Sequence, residues 1–204
     1  MRIHPGNVFV ISAPSGTGKS TLAHRLVANF DGLIFSISTT TRAPRPGEVD
    51  GQHYFFVDDA TFDNMVNKDG FIEWVQIYGK RYGTGRAWLN GVLDSGKDVL
   101  LDIETTGAMN LRRAIPDAVM IFILPPSAKE LEHRLRGRGK DSEAQIETRM
   151  QYARHELELY HAYDFLVVND AIELAYRQME SIVWATRVRR QRMVSRAQEI
   201  LSGF

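Results

Sequence analysis

The octapeptide Ala13-Pro14-Ser15-Gly16-Thr17-Gly18-Lys19-Ser20 follows directly on the apolar run 8–11. A strand, a glycine-rich turn, then Lys and Ser opening a helix is the arrangement a nucleoside triphosphate requires. Backbone N–H groups point inward, the helix N-terminus favours negative charge, Lys19 reaches the outer phosphates, and Ser20 can ligate Mg²⁺. Thr21 is next in line on the same helix start. Ala13 stands where the pattern has Gly, while Gly16 and Gly18 keep the tight part of the loop permissive. Further on, Ser38-Thr39-Thr40-Thr41-Arg42-Ala43-Pro44-Arg45-Pro46-Gly47-Glu48 sets two arginines and several hydroxyls where a second phosphate can be held. The two stretches together suggest a kinase with two nucleotide pockets. Asp102 closes the apolar run 99–103 but for one residue, with Glu104 two positions on. A carboxylate there suits a magnesium shell or its waters. The competing reading is a cap on the following helix, a task Thr105 or Thr106 could also perform.

The elements that must position these residues alternate along the chain. Apolar runs of strand length fall at 8–11, 33–38, 99–103, 119–124 and 165–168, and helical patterns at 19–30, 106–114, 127–136 and 171–190. That alternation predicts an α/β core with a parallel sheet covered on both faces. Residues 39–90 break the rhythm with a Pro/Gly-rich stretch and short segments at 54–57, 61–67, 71–76 and 81–85. They predict a small inserted subdomain of short antiparallel strands. Gly137-Arg138-Gly139-Lys140-Asp141 reads as a mobile loop, and Ser142 with Gln145 as a capping box opening a helix over 143–160.

The totals are those of an ordinary globular chain. There are 204 residues, 25 basic against 25 acidic, and no cysteine. Disulfides, thiolate metal sites and a cysteine nucleophile are thereby excluded. A net charge of zero gives no general affinity for nucleic acid, so anion binding must come from local clusters. No run reaches the length of a signal core or a membrane span, so the expected location is the cytoplasm.

The motifs in order resemble guanylate kinase. They are the phosphate loop, the run from Ser38 to Glu48, Gly51-x-x-Tyr54, Phe71-Ile72-Glu73-Trp74, Tyr82-Gly83-Thr84, Leu101-Asp102-Ile103, Arg134-Leu135-Arg136-Gly137-Arg138-Gly139 and Val168-Asn169-Asp170. The resemblance implies a P-loop NTPase core, an inserted small α+β subdomain that binds GMP, and a short helical lid. The corresponding boundaries are core 1–38, 91–134 and 150–204, insertion 39–90, and lid 135–149. It implies ATP as co-substrate with Mg²⁺, and GMP (with dGMP) as acceptor.

By the same resemblance, Glu73 accepts from guanine N1–H and the N2 amine, and Ser38 and Thr84 donate to O6. Arg42, Arg45, Tyr54 and Tyr82 match the positions around the GMP phosphate, and Glu48, Asp102 and Glu104 fall in the acceptor or magnesium region. Arg134, Arg138 and Arg149 match lid arginines that act with Lys19 and Arg42 on the transferring group. Asn169 matches a turn near the ATP adenine, with a helix N-cap as its competing reading. Taken singly, Arg42 and Arg45 read as solvated charges, Tyr54 and Tyr82 as strand residues, and Glu73, between Ile72 and Trp74, as the wet face of a strand. Their joint spacing carries the assignment.

Glu104 stands where the family commonly has Asp, and Thr106 where Gln is common. Three rival readings compete with this one. A catalytically inactive protein-interaction module is opposed by the intact Lys19-Ser20 pair, the lid arginines and the lack of an attached domain. A kinase of another phosphorylated small molecule is opposed by Arg42, Arg45 and Glu73. Contact with RNA through Arg187, Arg189, Arg190, Arg192 and Arg196 competes with a solvated helix end or a homo-oligomer contact, and the reading adopted is no nucleic-acid and no membrane partner.

Overall fold

The computed structural model describes residues 6–77, 79–137 and 142–204. Two sheets organise the described chain. The first holds β1 (Val8–Ser12), β2 (Leu33–Phe35), β7 (Asp98–Asp102), β8 (Val119–Leu124) and β9 (Phe165–Val168), all parallel, in the order β2-β7-β1-β8-β9. The central strand β1 is buried along its whole length, as a parallel strand covered on both faces must be. On one face, Phe9 and Ile11 pack with Leu22 and Leu26 of α1 (Lys19–Asn29) and with Met179 and Val183 of α7 (Ile172–Arg187). On the other, Val8 and Val10 pack with Leu89 and Leu93 of α3 (Arg86–Asp94) and with Ala108 and Leu111 of α4 (Thr105–Ala114).

The second sheet holds β3 (Ser38–Thr40), β4 (Tyr54–Phe56), β5 (Phe71–Ile77) and β6 (Lys80–Gly85) in the order β4-β3-β6-β5. The short helix α2 (Asp59–Asn67) buries Phe62 against Phe71 and Trp74. After β8 come α5 (Ala128–Arg136) and α6 (Glu143–Glu158), which share a small cluster of Leu131, Leu135 and Ala153. Ser142 and Gln145 form the expected reciprocal capping box at the start of α6. The chain ends in α8 (Arg190–Leu201), none of whose residues is buried.

Three sequence expectations are corrected, and one helix went unread. The single strand over 33–38 is two strands in two sheets: Ser36 N still donates to Leu100 O of the first sheet, and the chain enters the second at Ser38. The insertion is mixed, because β4 runs parallel to β3 after the long excursion over 41–53. The helix α3 went unread; its Trp88, Leu89, Val92 and Leu93 have helical spacing, but Gly91 and the short length obscured it. The helix over 171–190 stops at Arg187, where extended Arg189 (φ −56°, ψ 140°) turns the chain into α8. The expected boundary at 90/91 falls inside α3.

Candidate functional site

The phosphate loop occupies the turn between β1 and α1. Gly16 (φ +99°) and Gly18 (φ +88°) lie in the left-handed region that disfavours side chains. Ala13 does not, which explains why alanine serves at the loop's first position. The loop is closed by Thr17, whose N–H and Oγ1 both donate to Pro14 O at 3.2 and 2.8 Å. Gly18 is the N-cap of α1 with no side-chain cap, so the first N–H groups of that helix are left for an anion.

Lys19 and Ser20 both face Asp102, from the C-terminal end of β7. Lys19 Nζ lies 2.5 Å from Asp102 Oδ1 and donates to Ile103 O at 3.4 Å. Ser20 Oγ donates to Asp102 Oδ2 at 3.4 Å. A hydroxyl and a carboxylate at adjacent strand and helix ends are hard oxygen donors of the type Mg²⁺ takes. Glu104 occupies the N-cap position of α4 but its side chain makes no capping bond. Burial pushes its carboxyl up, against the pull of Lys19. It faces a cleft of about 970 Å³ lined by residues 13–21, Gln76, Ile77, and Arg149, Tyr152 and Glu156 of α6. Glu156 is an acid that the sequence reading missed. Burial, then the neighbouring Glu104, push its carboxyl up to about 7.

The second group is assembled by strand register. Directly paired residues share a face, as do residues two apart on one strand. Ser38 pairs with Tyr54, Thr40 with Tyr82, and Thr84 with Glu73. Ser38, Tyr54, Tyr82, Thr84 and Glu73 therefore all lie on one face of the second sheet. Tyr54 and Tyr82 meet edge to face at 6.1 Å between centroids. The Arg42 guanidinium sits 5.1 Å from the Tyr54 ring centroid and grips Glu48 with Nη1 and Nη2 at 2.9 and 2.8 Å. Glu48 also accepts from Arg45 N at 2.7 Å, and these bonds hold its carboxyl down to about 2. Arg45 itself is exposed.

Glu73 is only 6% exposed, against the wet-face reading that simple alternation gives. A register irregularity between Phe71 and Glu73 re-aims it, and α4 packs over it. A Cβ on Gly107 would lie 3.0 Å from Glu73 Oε2, so the carboxylate occupies room that a glycine leaves. Thr84 Oγ1 donates to Glu73 Oε1 at 2.7 Å. Burial nevertheless dominates and pushes the Glu73 carboxyl up to about 7. Neither Gly107 nor Gly83, where a Cβ would meet Phe71 at 2.8 Å, was singled out from sequence for this role. Glycine inside a strand or helix pattern was the available signal.

Of the expected lid arginines, Arg149 Nη2 donates to Ser15 Oγ at 2.6 Å, tying α6 to the phosphate loop. Arg134 is held by Glu130 Oε1 at 2.8 Å and Asn169 O at 3.1 Å. Arg136 is ion-paired with Glu132 and Glu143. Arg138 lies outside the described residues. Asn169 does not cap α7, whose N-cap is Ala171; its Nδ2 donates instead to Thr17 O at 2.6 Å. Among the described residues no group of three or more His, Cys, Asp or Glu has the arrangement of a metal site, and no helix is long and apolar enough to cross a membrane.

A sequence model of the family described as guanylate kinase matches residues 6–186. A guanylate kinase of Neisseria meningitidis serogroup B is 46% identical over 198 residues, 97% of each chain. One from Rhodopseudomonas palustris (strain BisB5) is 47% identical over 190 residues, 93% of this chain and 87% of that protein. The crystal structure of guanylate kinase from Anaplasma phagocytophilum superposes with a TM-score of 0.73 at 32% identity, covering 93% of this chain and 90% of that one.

Proposed function

The chain belongs to the guanylate kinase family, and we propose that it transfers the γ-phosphoryl group of ATP to GMP, in the presence of Mg²⁺, giving ADP and GDP. The observation that carries this reading is the strand register that gathers Ser38, Tyr54, Tyr82, Thr84 and buried Glu73 on one face of a sheet. That face suits one ligand chemistry. Guanine offers two adjacent donors, N1–H and the N2 amine, which a carboxylate accepts in a fork. Thr84 already donates to the carboxylate and so orients it, leaving Ser38 to donate to guanine O6. Adenine would present a lone pair to Glu73, and a buried polar site mispaired in this way discriminates by ~10⁴-fold or more.

The GMP phosphate belongs with Arg42, Arg45, Tyr54 and Tyr82. The fork that Arg42 now presents to Glu48 is the geometry that grips a phosphate in bidentate fashion. In this proposal Glu48 keeps the guanidinium aimed until a phosphate takes over. The loop residues 13–21 cradle the ATP phosphates through backbone N–H groups, with Lys19 on the outer ones. Ser20 and Asp102 are the groups that would hold Mg²⁺, with Glu104 at its margin. Bound there, the ion neutralises charge on the triphosphate and spreads charge developing on the transferred group.

The attacking oxygen of GMP is already largely ionised near neutral pH, since the second pKa of a phosphate monoester is about 6. No general base is then needed, and the protein's contribution is alignment and charge stabilisation. Lys19, Arg42, Arg134, Arg138 and Arg149 supply the positive charge. The divisions proposed for this cycle are core 1–38, 91–134 and 150–204, acceptor-binding insertion 39–90 and lid 135–149. Closing the lid excludes water that would otherwise take the phosphoryl group. The test is product analysis of Mg-ATP with GMP. ADP and GDP must appear in equal amounts, with slow ADP release when GMP is left out. ADP without GDP would contradict the proposal.

A further inference from the structure

Asn169 joins three elements at one point behind the phosphate loop. Its backbone N–H donates to Leu124 O at 2.9 Å, extending the ladder between β8 and β9. Its carbonyl accepts from Arg134 of α5. Its side-chain amide donates to Thr17 O at 2.6 Å, with Asn169 5% exposed and Thr17 fully buried. A Cβ on Gly18 would fall 2.6 Å from Asn169 Nδ2. The amide thus fills the space on the outer side of the loop where a larger residue at position 18 would stand.

The consequence follows from peptide geometry. The Thr17–Gly18 peptide is planar and trans, as every peptide bond described here is free of the cis form, so its C=O and N–H point in opposite directions. Thr17 has its own N–H and hydroxyl tied to Pro14 O. With Thr17 O held outward by Asn169, the Gly18 N–H faces the interior of the loop, on the side where an anion sits. Gly18, at φ +88°, would otherwise be among the residues freest to rotate this peptide.

We propose that Asn169 is a positioning residue for the phosphate cradle: its amide fixes the Thr17–Gly18 peptide so that the Gly18 N–H is aimed at the triphosphate. The inference rests on reading residues 13–20 as that cradle. It differs from a contact to the adenine base: one N–H of the amide is spent on the loop, and the side chain is almost wholly buried rather than lining the cleft. An amide is required at this place. A carboxylate of the same shape would set a lone pair against Thr17 O in a buried position, and an apolar isostere would leave that carbonyl unpaired.

The test measures binding of three probes, inorganic tripolyphosphate with Mg²⁺, Mg-ATP and GMP, by calorimetry to the intact chain and to Asn169→Asp. The expected result is a loss of affinity by about 10- to 100-fold for tripolyphosphate and for Mg-ATP alike, with GMP affinity unchanged. If Asn169→Asp does not fold, Asn169→Ser is measured, with the same pattern at smaller size. ATP binding weakened while tripolyphosphate is unaffected would overturn the proposal in favour of a base contact. Equal losses for all three probes, or no loss, would overturn it as well. Because tripolyphosphate binding does not require turnover, failure here is distinct from failure of the kinase reading.

Discussion

Glu73 concentrates the physical chemistry of the proposed acceptor site in one residue. Its carboxyl is pushed up to about 7 because burial outweighs the hydrogen bond from Thr84. The folded-state value lies above the unfolded one of 4.5, so the folded protein binds the extra proton. Stability from this group is therefore full below pH 4.5 and is lost as pH rises through about 7. The loss across that window is a few kcal/mol at most, at about 1.4 kcal/mol per pH unit. Urea denaturation of the ligand-free protein from pH 5 to 8 should show this decline, and Glu73→Gln should lessen it, leaving the part due to Glu156, whose carboxyl is likewise pushed up to about 7. A carboxylate that accepts from guanine must be ionised, so GMP binding near pH 6.5 should expel a proton. Calorimetry in buffers of different ionisation heats reads that proton directly, and Glu73→Gln should lower the release to the part contributed by the GMP phosphate itself. The sequence did not reveal this environment. Alternation between Ile72 and Trp74 assigns Glu73 to the solvent side, and only the register irregularity and the space left by Gly107 bury it.

The elements were legible where one pattern dominated. The runs at β1, β8 and β9 and the centre of β7 are apolar and of strand length, so each could be placed from composition alone, although Leu166 and Val168 of the edge strand β9 are exposed. The stretch from Leu33 to Ser38 was not divisible by pattern, because the change of sheet is made by tertiary hydrogen bonds such as Ser36 N to Leu100 O. Likewise Asn169 has the residue type of a helix cap, and it is three-dimensional proximity to Thr17 that gives it another partner. Local signals did suffice for α6. Ser142 accepts from Gln145 N, and Gln145 Oε1 accepts from Ser142 N at 2.7 Å. Replacing Ser142 by Ala should destabilise the protein by about 1 kcal/mol in chemical denaturation. GMP affinity should be unaffected, since the proposed GMP site lies on the second sheet.

At the scale of the molecule, two sheets and a helical pair surround one cleft. The phosphate loop forms one wall; Gln76 and Ile77 of β5 and the α6 residues Arg149, Tyr152 and Glu156 form others. Arg149 of α6 already reaches Ser15 of the phosphate loop across it, so filling the cleft with phosphate has walls to draw together. Small-angle scattering should record a smaller radius of gyration with GMP and a non-hydrolysable Mg-ATP analogue together than with neither. An unchanged radius would mean that the two nucleotides meet without closure.

The account stands or falls on the choice of acceptor. ADP release from Mg-ATP should be measured with GMP, AMP, UMP and CMP in parallel, for the intact chain and for Glu73→Gln. The account predicts turnover with GMP at least 10³-fold more efficient than with the others, and a fall of about 100-fold in kcat/KM for GMP in the variant. Comparable turnover with AMP, or a Glu73→Gln protein that still selects GMP, would contradict it.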